Sequence, residues 1–246
     1  MDRRTLLHLR GQNISMIFHN PLTSLNPLFT VEKHFLETIH FHDASMPREK
    51  ALAAVGTMLE TLGIEKKRLK EYPHQLSGGM RQRAMIALAI TGRPRVLIAD
   101  EPTTALDVTV QRSILELLGE LRRSTGMSMI IVTHDLAVIE AVTDRVAIVY
   151  AGMTVESGIT ADVLAHPAHP YTRALLAARP SARKHNERLA AIAGFPPTPE
   201  DWPVGCRFAP RCGYVQDGCL AARPPLEIAR TGQAVACLRH AEIADA

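Results

Sequence analysis

Two short runs of apolar residues constrain this chain more than anything else in it. "VLIADE", residues 96–101, and "SMIIVTHD", residues 128–135, each carry apolar and β-branched residues and then end abruptly in acid or histidine. Between them, the spacing of apolar residues predicts a helix from about Val108 to Ser124. Short, wholly apolar strands separated by a helix belong in a parallel sheet covered on both faces. Ligands of such sheets gather beyond the carboxyl ends of the strands. Asp100, Glu101 and His134 all fall at those ends.

The same alternation continues on either side. A helix is expected after Ser77, another over "LAVIEAVT", and a hairpin over "RVAIVYAGMTVESG". Before residue 75 the chain reads as a strand-like "NISMIF", a turn-rich "HNPLTSLNPLF" and an amphipathic helix from about Pro47 to Leu62, closed by Gly63. After about Thr160 the pattern weakens. "PAHPYTRALLAARPSARKH" supports one short helix, and the Pro-rich stretch from Phe195 to Pro225 cannot build regular ladders.

Chemistry concentrates in two places. In "QLSGGMRQR" Ser77 is a good N-cap, and Gly78 and Gly79 let a ligand approach the backbone without a Cβ in the way. The free N–H groups of the helix that follows make an anion site. At the end of "VLIADE", Asp100 and Glu101 face opposite ways and so can take separate roles, one toward Mg²⁺ and one toward water. Burying both unpaired would cost several kcal/mol each, which argues against a purely structural pair.

Composition narrows the field. At 246 residues and 46% apolar content the chain can fill a sizeable core, and a net charge of +3 with mixed signs gives no footprint for nucleic acid. No run approaches the roughly 18 apolar residues of a membrane span, and the start lacks a secretory signal, so a cytosolic location is expected. All four cysteines lie late, at Cys206, Cys212, Cys219 and Cys237. In a cytosolic chain that clustering favours metal over disulfide, and four thiolates suit either Zn²⁺ or an iron–sulfur cluster.

Taken in order, "LSGGM", "VLIADEPTTALD" and "IIVTHD" resemble the signature, Walker B, D-loop and switch-histidine motifs of ATP-binding cassette proteins, over roughly residues 12–158. "ISMIFHNPLTSLNPLFTV", "DVLAHPAHPYTRALLAARP" and the cysteine tail narrow the likeness to the ATPase subunits of bacterial dipeptide, oligopeptide and nickel importers. The resemblance implies an α/β fold: an incomplete P-loop NTPase sheet over residues 1–158, a helical signature subdomain over about 30–92, and a small Cys- and Pro-rich C-terminal extension over 159–246. It also implies ATP and Mg²⁺ as cofactors. The implied partners are a second ATPase subunit, two membrane permease subunits and, indirectly, a solute-binding protein, on the cytoplasmic face of the membrane. Carried onto this chain, Ser77, Gly78, Gly79 and Met80 touch ATP held by the second subunit, and Asp107 reaches across the same interface. Asp100 holds Mg²⁺, Glu101 polarises the attacking water and His134 contacts the γ-phosphate. A [4Fe–4S] cluster in the tail is implied as well, with four free thiols or Zn²⁺ as the alternatives.

The chain departs from the family pattern in two ways. Nowhere does it contain G-x-x-x-x-G-K-[ST], so the Walker A loop would lie before Met1, and His19 in "MIFHNP" stands where the family has the Q-loop glutamine. Met80 in the signature is a tolerated variant. The expectation is a chain that neither holds ATP tightly nor hydrolyses it alone, and lends its signature to a partner's site. A lost central strand would also cost roughly 7–15 kcal/mol, leaving the fold marginal. The alternatives are a non-catalytic regulatory protein and a fragment of a complete ATPase. The transported solute cannot be read from these residues.

Overall fold

The computed structural model describes residues 2–19, 24–104, 106–179, 191–230 and 232–244. They form two compact units, residues 1–134 and 135–246.

The first unit opens with α1 (Arg3–Gln12), kinked at Arg10 and Gly11, which leads into β1 (Ile14–Ile17). Residues 20–23 of the turn-rich segment lie outside the described residues. Three helices follow: α2 (Val31–His42), α3 (Arg48–Thr61) and α4 (Gly78–Ile90). Thr30 caps α2 by accepting from the Lys33 amide, and Val31, Phe35, Leu36 and Ile39 form its buried stripe. Helix α3 matches the stretch expected from Pro47 to Leu62, and Gly63 turns the chain out of it with φ of 74°. Then come β2 (Val96–Asp100), α5 (Val108–Thr125) and β3 (Ser128–Val132), all within a residue or two of where the sequence puts them.

Strands β1, β2 and β3 make a parallel sheet in that order, with Ile17 level with Ala99 and Ala99 level with Ile131. Level residues point to the same side of a sheet. One face therefore carries Ile17, Leu97 and Ala99, each at most 1% exposed, in a core shared with Phe35, Leu59, Ile86, Ile114 and Leu118. The other face carries Ile14, Met16, Ile130 and Val132, which are 38–54% exposed. Parallel sheets are ordinarily covered on both faces. Among the described residues of this unit, the second face is left open.

In the second unit, α6 (Leu136–Val142) precedes the expected hairpin, β4 (Arg145–Tyr150) and β5 (Met153–Ile159). Short helices α7 (Thr160–Ala165), α8 (Pro170–Ala177) and α9 (Asp217–Ala221) follow, then β6 (Glu227–Arg230), β7 (Gln233–Val235) and α10 (His240–Ala244). No strand occurs among the described residues of the Pro-rich stretch. β7 nevertheless pairs antiparallel with β5, so one sheet runs β4-β5-β7-β6 and ties the tail to the hairpin. The tail also has more packing of its own than its composition suggests. Phe208 is 3% exposed and packs edge-on to Tyr150 and tilted against Tyr171 and His169, with Val146, Ile148, Val155 and Val163 in the same cluster. Among the described residues no helix is long and apolar enough to cross a membrane.

Candidate functional site

Strand β2 delivers two carboxylates to the end of the parallel sheet. Asp100, half-buried and level with Val132, lies on the open face of the sheet, and its oxygens have no protein partner among the described residues. A free carboxylate at a strand end is the hard oxygen donor that Mg²⁺ takes. Glu101 follows in the left-handed region, φ 44°, a conformation that costs a residue with a side chain energy and is held here by an amide bond to the Val132 carbonyl at 2.8 Å.

This twist turns the Glu101 side chain toward β3. Its Oε2 accepts from the Thr104 hydroxyl at 2.7 Å, and its Oε1 lies 2.8 Å from Nδ1 of His134. The Thr104 hydroxyl, then His134, hold the Glu101 carboxyl below the usual carboxylate range, and His19 adds a smaller electrostatic contribution. The structure therefore brings Glu101 and His134 together beside Asp100, with His19 near enough to act on Glu101 electrostatically. His134 presents an imidazole that is 78% exposed, open to a ligand.

A second group forms where two helices begin. Ser77 caps α4, its hydroxyl accepting from the Met80 amide at 3.3 Å, and Ser77 and Gly78 are exposed. Asp107 caps α5, accepting from the Val110 amide at 2.9 Å. The two starts are neighbours: a Cβ on Gly79 would lie 2.9 Å from Val110 Cγ1, and one on Gly78 would lie 3.7 Å from Leu106. Two positive helix ends thus share one region, with free amides facing solvent. No hydrogen bond directly joins this group to the Glu101 group among the described residues.

The residue that ties the two groups is one that the sequence does not single out. Gln82, 3% exposed on α4, donates its amide to the Pro102 carbonyl at 2.6 Å, one residue past Glu101. Arg83 beside it donates to the Leu62 carbonyl at 2.7 Å and to Ser113 on α5. Both lie in "QLSGGMRQR", and their polar character at helix positions facing the core was the available signal. Thr104 was likewise visible only as part of a turn.

In the second unit the four thiols converge. Cys206, Cys212, Cys219 and Cys237 all line one cavity of about 20 Å³, together with His169, Phe208 and Arg239. Burial pushes the Cys206 and Cys212 thiols up and Cys237 up to about 11, and the neighbouring sulfurs push in the same direction. Among the described residues no group of three or more His, Cys, Asp or Glu side chains is gathered as a single metal ion requires.

Comparison with known proteins finds likeness over almost all of the chain. Residues 2–104 match the family model described as ABC transporter, and residues 155–219 match the one described as oligopeptide/dipeptide transporter, C-terminal region. The oligopeptide transport ATP-binding protein OppD of Escherichia coli (strain K12) is 45% identical over 244 residues, 98% of this chain and 72% of that protein. The dipeptide transport ATP-binding protein DppD of the same organism is 44% identical over 238 residues, 96% of this chain and 72% of that protein. The oligopeptide transport ATP-binding protein AppD of Bacillus subtilis (strain 168) is 43% identical over 236 residues, 95% and 72%. Among solved structures, the dimeric bacterial ABC transporter cassette MJ0796 aligns with a TM-score of 0.58 at 28% identity, covering 65% of this chain and 68% of that one. CbiO1 from Clostridium perfringens, part of the transporter complex cbiONQ, aligns with a TM-score of 0.59 at 27% identity, covering 67% and 63%.

Proposed function

The chain belongs to the ABC transporter ATPases of the oligopeptide and dipeptide importer type, and from that premise we propose that it closes the ATP site of a second subunit with its own signature helix. As a member of the family it is an ATP-binding subunit of a peptide importer. It uses ATP and Mg²⁺ and works with membrane permeases and an ATPase partner at the membrane, here on the cytoplasmic face. Residues 1–158 carry the nucleotide chemistry, and 159–246 form the importer-type extension.

The observation that carries the proposal is the contrast between the two groups of residues. The Ser77–Gly79 helix terminus is capped, exposed and paired with the Asp107 terminus, so its amides stand ready for a phosphate. The Glu101 group has its catalytic side chains in place, yet residues 1–246 contain no G-x-x-x-x-G-K-[ST] cradle to bring a phosphate to them. With ATP and Mg²⁺ bound, Asp100 would hold the metal, Glu101 would polarise the attacking water and His134 would contact the terminal phosphate. His19, at the Q-loop position, puts an imidazole where the family has a neutral amide. Losing one preorganised donor commonly costs about 10²–10³-fold in rate, and residues 1–246 carry none of that loop. The purified 246-residue chain should therefore show no turnover of ATP. Turnover that disappears in Glu101→Gln refutes the proposal.

A second reading concerns the thiols. Four sulfurs lining one cavity supply the all-thiolate ligand set that a [4Fe–4S] cluster, or alternatively Zn²⁺, takes. Cys206, Cys212, Cys219 and Cys237 would hold it, and it would supply a covalent staple for the tail. Because burial raises the Cys206, Cys212 and Cys237 thiols, loading must release protons. Anaerobic purification followed by iron analysis and visible absorption decides this: a colourless, iron-free protein rules the cluster out.

A further inference from the structure

The second unit carries an open cleft of about 300 Å³, at the small end of the range that ligand sites occupy. His166 from the turn after α7, Arg173 from α8 and His240 from α10 all reach it. The rest of the wall is alanine and Pro167, and no carboxylate contributes among the described residues. Three nitrogen-bearing residues from three separate elements, with no carboxylate beside them among the described lining residues, make a site rich in donors.

The geometry of Arg173 strengthens this. Its Nε donates to the Pro167 carbonyl at 3.1 Å, which fixes the guanidinium plane, while neither Nη atom has a protein partner among the described residues. A guanidinium anchored in this way presents a free fork, the arrangement that binds an oxyanion through two parallel hydrogen bonds. The turn carrying His166 and Pro167 is itself held rigid. Glu156, fully buried, accepts from the Ala168 and His169 amides at 2.7 and 3.0 Å. Gln233 bridges it to the His166 carbonyl, donating at 2.6 and 3.0 Å. The Glu156 charge is thus engaged by three N–H donors and does not line the cavity. A site built before its ligand arrives loses little affinity to ordering.

We propose that this cavity is a binding site for a small oxyanion, a carboxylate or phosphate, gripped by the Arg173 fork and by the His166 and His240 imidazoles, with its apolar body against the alanine wall. None of these three side chains belongs to the nucleotide groups or to the thiol cavity, so the site gives the importer-type extension a ligand of its own. Its volume suits a molecule no larger than a short peptide.

Calorimetric titration of the full chain with dialanine, dialanine amide and inorganic phosphate tests this. The expected result is saturable binding of dialanine or phosphate, weakened at least tenfold by Arg173→Gln and less by Arg173→Lys. Binding of dialanine but not its amide identifies the ligand as a carboxylate; binding of phosphate, with displacement of dialanine, identifies it as a phosphate. Should Arg173→Gln fail to fold, His240→Gln, which removes no intramolecular bond described here, carries the test with an expected loss of severalfold. The proposal is overturned if neither oxyanion binds, or if affinity is unchanged in the folded variant.

Discussion

Nδ1 of His134 lies 2.8 Å from Oε1 of Glu101, while Thr104 donates its hydroxyl to the other oxygen of the same carboxylate. The Thr104 bond has the larger effect in keeping the Glu101 carboxyl below its ordinary range. A carboxyl depressed in the folded state stabilises the fold above its unfolded value, and that contribution disappears as the pH falls through the folded value. Thr104→Val should therefore move the Glu101 titration upward and shrink the acid-side loss of stability. Carboxyl-carbon NMR titration reads the first effect; an unmoved Glu101 would show that Thr104 does not set it.

The neighbouring starts of α4 and α5 make a sharper packing prediction. Since a Cβ on Gly79 would lie 2.9 Å from Val110 Cγ1, Gly79→Ala should destabilise the first unit by about 1–3 kcal/mol. Val110→Ala removes the obstructing methyl and should recover part of that loss. Urea unfolding of both single variants and the double variant measures the coupling; simple additivity would mean that the two helix starts do not touch.

His169 predicts a pH response in the second unit. The ring is 1% exposed, its Nδ1 accepts from the Tyr171 amide at 3.0 Å, and burial pushes its pKa down to about 4. The unfolded chain therefore takes up a proton first. Stability falls as pH drops from about 6.5 to about 4, by roughly 3 kcal/mol in all, and levels off below. His169→Asn, which can still cap α8, should flatten that window while leaving the rest of the profile in place. Urea midpoints at several pH values across the window give the comparison.

Much of this was legible in the residues themselves. Strands β2 and β3 stand out because apolar runs stop at Asp100 and just before His134, and α5 because its apolar stripe is bounded by Asp107 and Gly126. The Ser77 cap was visible because a hydroxyl before two glycines has few other uses. Helix α2 was less so: its buried Phe35, Leu36 and Ile39 alternate with His34, His40 and His42, which blurs the stripe. The pairing of β5 with β7 joins residues more than seventy apart, and long-range pairing leaves no local pattern. The same holds for the bond from Gln82 to Pro102 and for the convergence of His166, Arg173 and His240. The tail's aromatic cluster was missed because its partners, Tyr150 and Tyr171, come from outside the Pro-rich stretch.

The most direct measurement is ATP turnover by a Walker A-complete importer ATPase mixed with this chain, comparing Ser77→Arg with Glu101→Gln in the chain. If the chain supplies the lid of its partner's site, it raises turnover, Ser77→Arg abolishes the rise and Glu101→Gln leaves it intact. A rise that survives Ser77→Arg and vanishes with Glu101→Gln would place the chemistry on this chain's own carboxylate and contradict the account.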